Sequence, residues 1–167
     1  MLNGLYMWAI EHHDNCPKGH EEEHTDNSDE EDEQEREIHA YRPVCWLHGP
    51  AGAGKSAIMQ TLCQKLRDAA GCLGGVFFFK RSHATRGNAK VLFVTLAYQL
   101  ALNNRNLNSS ISRSVEYDPS IVGRSMEVQL CKLIVEPCHL LIDSPPLILL
   151  IDGLDECETQ DSQMEIL

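Results

Sequence analysis

Residues Gly49-Pro50-Ala51-Gly52-Ala53-Gly54-Lys55-Ser56 fit the spacing G-x-x-x-x-G-K-S/T. The chemistry suited to that spacing is the cradling of phosphate. Backbone N–H groups must turn inward around an anion, which calls for unusual dihedrals and small side chains. A helix starting at the loop adds unpaired amides and the positive end of its dipole. The expected phosphate contacts are Gly49, Pro50, Ala51, Gly52, Ala53, Gly54, Lys55, Ser56 and Ala57. Lys55 would reach the β- and γ-phosphates, and the Ser56 hydroxyl would be a ligand of Mg²⁺. A plain strand-to-helix turn also needs glycines, but it does not account for Lys55-Ser56. A second chemical element is Asp152-Gly153-Leu154-Asp155-Glu156. Asp152 follows an apolar run, where a carboxylate can hold Mg²⁺ opposite Ser56. Asp155 or Glu156 would orient or deprotonate an attacking water. The alternative for this element is a solvated acidic loop.

The elements around these residues must bring them to one place. Pro43 to His48 reads as a short buried strand ending in glycines, with Trp46 as a core residue. Ser56 to Ala70 has helical spacing at Ile58, Leu62 and Leu66, and Gly71 stops it. Gly75 to Phe79 predicts a second strand. Asn88 predicts the cap of a helix through Leu102, chosen over a core strand on length. Residues 103–123 are polar and turn-rich. Ser125 to Val135 puts Met126, Leu130, Leu133 and Ile134 on one helix face, with Pro137 as its end. Pro146 to Ile151 predicts a strand. Alternating strands and helices imply an α/β fold, a parallel sheet covered by helices, with ligands beyond the carboxyl ends of the strands.

Composition bounds the rest. The 167 residues carry 14 Lys+Arg against 25 Asp+Glu, a net of −11. Residues 21–37 hold eleven acids against Arg36 alone, so the remainder is near neutral and offers no basic face for nucleic acid. The segment 15–40 is too polar and too uniformly charged to fold, and is expected to be disordered. It divides a short helical piece at 1–14 from a domain at 41–167. The seven cysteines, Cys16, Cys45, Cys63, Cys72, Cys131, Cys138 and Cys157, are odd in number and mostly in apolar runs, as in a reduced cytoplasmic protein. There is no basic leader and no run near the ~18 apolar residues of a membrane helix. His12, His13, Cys16, His20 and His24 form a cluster better read as a solvated tail than as a zinc site. Lys80-Arg81 reads as a surface pair, with contact to phosphate or a neighbouring subunit as the alternative.

With both chemical elements placed, the chain resembles a NACHT-type signalling NTPase. The likeness is to the large fungal group related to the nephrocystin-like N-terminal domain. It rests on WLHGPAGAGKSAI, GVFFFKR, LFVTLAYQLA, QLCKLIVEP and LILLIDGLDEC, in family order over about residues 40–158. The resemblance implies a three-layer P-loop fold and a nucleotide-dependent switch, with ATP rather than GTP as the expected ligand, Mg²⁺ as cofactor, and self-association or pairing with NACHT-type proteins. Asp152, Gly153 and Asp155 match the family's magnesium-binding aspartate, small residue and extra acid. The family adds a sensor strand between the two motif strands, from a segment that follows the second motif. Here the sequence stops at Leu167, eleven residues after Glu156. This predicts an incomplete domain with two unpaired apolar strand edges. It also raises a rival role, a catalytically impaired module that pairs with full-length relatives. A P-loop kinase is a third reading, which the acid-rich Asp152–Glu156 element disfavours.

Overall fold

The phenylalanine-rich run makes the first strand of a computed structural model that describes residues 2–11, 44–68, 72–141 and 147–166. This strand, β1 (Leu73–Phe78), pairs in parallel with β2 (Ile148–Asp152), setting Val76 beside Leu150 and Phe78 beside Asp152. Both strands are apolar on both faces, as a sheet covered on two sides requires. Phe77, Leu149 and Ile151, with Phe79 just beyond β1, enter one cluster, while Leu73, Val76, Ile148 and Leu150 enter another. The Phe77 and Phe79 rings meet edge to face, with centroids 4.8 Å apart.

The smaller cluster holds α1 (Leu2–Glu11) and α2 (Lys55–Asp68). Leu62, Cys63 and Leu66 of α2 are buried against Leu150, at the i, i+4 spacing of an amphipathic helix. Leu2, Leu5 and Tyr6 of α1 cover this helix. Lys65 ties the pair, donating to Asn3 Oδ1 at 2.9 Å and standing 5.4 Å from the Tyr6 ring centre.

The larger cluster is built on α3 (Leu92–Asn103), whose Leu92, Phe93, Leu96, Ala97 and Leu100 are buried. Asn88 caps a 3₁₀ turn, Ala89–Val91, that leads into it, as its place in the sequence predicts. Gln99 reaches from α3 to the outer edge of β1. Its Nε2 donates to Val76 O at 2.9 Å and its Oε1 accepts from Val76 N–H at 3.0 Å. One side-chain amide thus occupies the place of a neighbouring strand.

Three expectations need correction. The polar stretch after α3 is not a run of turns: Asn104 caps a second helix, α4 (Arg105–Tyr117), through bonds to the amides of Asn106 and Leu107. A narrow stripe, Leu107 and Ile111, buries it. Pro137 does not stop the next helix. After α5 (Met126–Leu130), capped by Ser125, the coil widens into a π-helix, Cys131–Val135, in which the Glu136 N–H reaches back to Cys131 O. The widened turn passes into α6 (Glu136–Cys138), with Pro137 buried inside it. Finally, residues 44–48 form no strand, and Trp46 is 57% exposed instead of lying in the core. No described strand lies beside that segment, and an extended chain without a partner gains neither ladder bonds nor burial. A last helix, α7 (Gln160–Ile166), follows the loop after β2.

The fold is mostly helical, with a small two-stranded parallel sheet packed against helices, so its α/β character is partial. No helix among the described residues is long and apolar enough to cross a membrane. The acidic segment, Gly71 and the His12–His24 cluster lie outside the described residues.

Candidate functional site

The loop before α2 is shaped by its glycines. Gly52 and Gly54 both have φ of +79°, a region that side-chain-bearing residues rarely enter. Ala53 N–H donates to Pro50 O at 3.3 Å, closing a tight turn, and Ile58 N–H donates to Gly54 O at 3.0 Å, opening the helix. None of the described residues accepts from the amides of Gly52, Gly54, Lys55, Ser56 or Ala57. Four of these are the unpaired donors that a helix start leaves over, and a helix N-terminus favours negative charge. The Lys55 amine folds back across the loop, donating to Gly49 O at 2.8 Å and Pro50 O at 3.1 Å. The Ser56 hydroxyl is exposed and has no partner among the described residues.

Helix α2 packs on β2 through Leu150 and ends at Asp68, shortly before β1 begins at Leu73. Among the described residues no hydrogen bond joins its N-terminal loop to Asp152, Asp155 or Glu156. Asp152 is the last residue of β2 and is half-buried. Its carbonyl accepts from Phe79 N–H at 2.8 Å, but nothing described donates to its carboxylate.

Gly153 then turns the chain with φ of +70°. A Cβ there would sit 3.1 Å from Phe79 O, so the turn and the close approach to β1 both require glycine. A 3₁₀ turn, Leu154–Glu156, follows, closed by Glu156 N–H donating to Gly153 O at 2.7 Å. Asp155 is exposed and its carboxylate has no described partner. Glu156 is different: its Oε2 accepts from Arg81 N–H at 3.1 Å. The Arg81 guanidinium also donates to Asp155 O at 3.0 Å. The basic pair after β1 is thus tied to the acidic loop through Arg81. Sequence reasoning missed this role, although a base directly after a strand whose parallel neighbour ends in acids was the available signal.

Hard oxygen donors without partners, a hydroxyl at Ser56 and a carboxylate at Asp152, suit Mg²⁺, which is usually held by one or two protein oxygens together with phosphates. Among the described residues no three or more His, Cys, Asp or Glu side chains gather as a metal site. A hollow of about 410 Å³, lined by Leu66, Arg67, Leu73, Gln99 and Leu102, lies at the far end of α2 and touches no loop residue.

No curated protein and no solved structure shows a significant match to the chain. The family model described as "Nephrocystin 3, N-terminal" matches residues 25–167, which include the glycine loop, both strands and the acidic loop. With that match across most of its length, the chain belongs to the Nephrocystin 3 N-terminal family.

Proposed function

We propose that this chain is a NACHT-type P-loop domain that binds ATP with Mg²⁺ and works as a nucleotide-dependent switch. The observation that carries this reading is the loop of residues 49–57, in which left-handed Gly52 and Gly54 precede unpaired amides and a folded-back lysine. The amides of Gly52 through Ala57, except that of Ala53, would receive the phosphate oxygens. Lys55 would exchange two neutral carbonyl acceptors for anionic oxygens, a stronger charge-assisted bond. Ser56 and Asp152 would hold Mg²⁺, which when bound spreads the charge of the triphosphate. Asp155, with its carboxylate open, would orient the attacking water. Nothing among the described residues reads the base, so GTP fits the same loop. Titration with a fluorescent ATP analogue and Mg²⁺ tests the site. Lys55→Ala is expected to weaken binding at least about tenfold, and equal binding by wild type and variant would rule the site out.

A second reading is favoured by the exposed apolar residues Val44, 88% exposed, and Trp46. In it the chain is catalytically impaired and pairs with larger relatives through that segment. Wild-type turnover no faster than that of the double variant Asp155→Ala, Glu156→Ala supports this reading, and clear wild-type turnover counts against it.

A further inference from the structure

Four hydrogen bonds join the segment after β1 to the end of β2 and the loop beyond it. Phe79 N–H donates to Asp152 O at 2.8 Å, Arg81 N–H to Glu156 Oε2 at 3.1 Å, Arg81 Nη2 to Asp155 O at 3.0 Å, and Glu158 N–H to Gly87 O at 3.0 Å. The Arg81 side is itself held in shape. Ser82 adopts φ of +60°, rare for a residue with a side chain. Lys80 N–H donates to Arg86 O at 3.1 Å and Gly87 N–H to His83 O at 2.9 Å. His83 Nδ1 gathers the amides of Thr85 and Arg86 at 3.3 and 3.2 Å. The loop at 80–88 is therefore a folded-back unit and not a slack connection, and both polar ends of Arg81 are committed to the acidic loop.

We infer that Arg81 and Glu156 are positioning residues that clamp the acidic loop and so fix where the Asp155 carboxylate stands. This inference rests on the reading of the site as a nucleotide site. It separates two acids that the sequence leaves equivalent. One Glu156 oxygen is engaged by the Arg81 backbone amide, which ties that side chain to the loop after β1. Asp155 is held only through its carbonyl, which leaves its carboxylate directed by the clamp but chemically open. The Arg81 guanidinium commits one of its five N–H groups to the Asp155 carbonyl. Two loops from neighbouring strands then move as one body, so a ligand that engages Asp152 also fixes residues 80–88.

Hydrogen exchange over residues 80–88 without nucleotide reads the clamp directly. Glu156→Gln is expected to exchange as wild type does, because an amide oxygen accepts the Arg81 N–H as a carboxylate oxygen does. Glu156→Ala is expected to exchange about fivefold faster there, the effect of losing one such bond. Hydrolysis reads the consequence. Arg81→Ala is expected to lower the maximal rate about tenfold while affinity for a fluorescent ATP analogue stays within about twofold, the signature of a misplaced group. Arg81→Lys, which can still donate to Asp155 O, is expected to recover part of the rate. The inference is overturned if exchange is the same in Glu156→Ala and wild type. It is equally overturned if Arg81→Ala keeps its rate, or loses nucleotide affinity instead of rate. Failure of wild type to bind any nucleotide would remove the nucleotide reading, and the exchange comparison would still decide the clamp.

Discussion

Asp118 and Glu156 are both half-exposed acids, and each is spoken for by groups from its own surroundings. Asp118 accepts from Ser120 Oγ at 2.5 Å and Ser120 N–H at 3.1 Å, and pairs with Arg124 at 2.6 Å, which together cap the turn Pro119–Gly123. The Ser120 hydroxyl foremost holds its carboxyl below the ordinary value; desolvation opposes it, and the Ser120 amide and the Arg124 charge add to the lowering. A lowered folded-state pKa contributes stability that is present above the unfolded pKa and lost as pH falls through the folded one. Wild type is therefore expected to be more stable than Asp118→Ala at pH 6. The gap should narrow below about pH 4, the ordinary carboxylate range. Urea unfolding midpoints of the two proteins across pH 2.5–7, bracketing roughly that range, check this; a gap that is constant with pH would show that the charge is irrelevant. Lys132 shows the opposite sign, raised chiefly by its hydrogen bond to Glu136 one helical turn away. Asp152 and Asp155, by contrast, have no donor to their carboxylates among the described residues.

A two-stranded sheet has two open edges, and the helices deal with them unequally. Gln99 satisfies Val76 on the outer edge of β1 with both ends of its amide. Leucine at that position would fill similar space and leave a part-buried N–H and C=O unpaired. Gln99→Leu is expected to lose about 2–3 kcal/mol of stability from those unmet groups and to aggregate faster on warming, since an uncovered edge invites strand addition. Urea unfolding with light scattering measures both, and a loss below about 0.5 kcal/mol would mean that the amide merely fills a gap. Gln99 was not legible as an edge cap, because in the sequence it is one polar residue on an apolar helix, and only the crossing of α3 over β1 brings it to Val76. Helix α4 was illegible for a related reason. Its stripe of Leu107 and Ile111 is too narrow to announce a helix, and Asn104 reads as a loop residue until its side chain is seen on two amides.

At the scale of the whole molecule the two faces of the sheet are unequal. The α3 side carries the larger cluster, including Leu92, Leu96, Leu107 and Leu133, all at most 1% exposed, whereas the α2 side rests on Leu62, Cys63, Leu66 and Leu150 with α1 as cover. The helix that bears the glycine loop therefore lies on the thinner layer. Amide protection is expected to be higher in α3 and α4 than in α2, because regions with fewer buried contacts open at lower free energy. ATP with Mg²⁺ is expected to raise protection in α2 by mass action, by about 2.7 kcal/mol at a hundred times the dissociation constant. Exchange measured with and without nucleotide checks both, and equal protection of α2 and α3 in the free protein would contradict the layered picture. Short-range chemistry was legible in the residues alone: the glycine loop opening a helix, the apolar strand delivering Asp152, the Asn88 cap, and the helical spacing of Leu62 and Leu66. These depend on neighbours a few residues apart, where dihedral freedom, capping and periodicity act. Long-range packing settled that residues 44–48 form no strand, that Gln99 closes an edge, and that Arg81 holds Glu156. Each of those depends on which segment arrives alongside from far along the chain, and a local pattern carries no record of it.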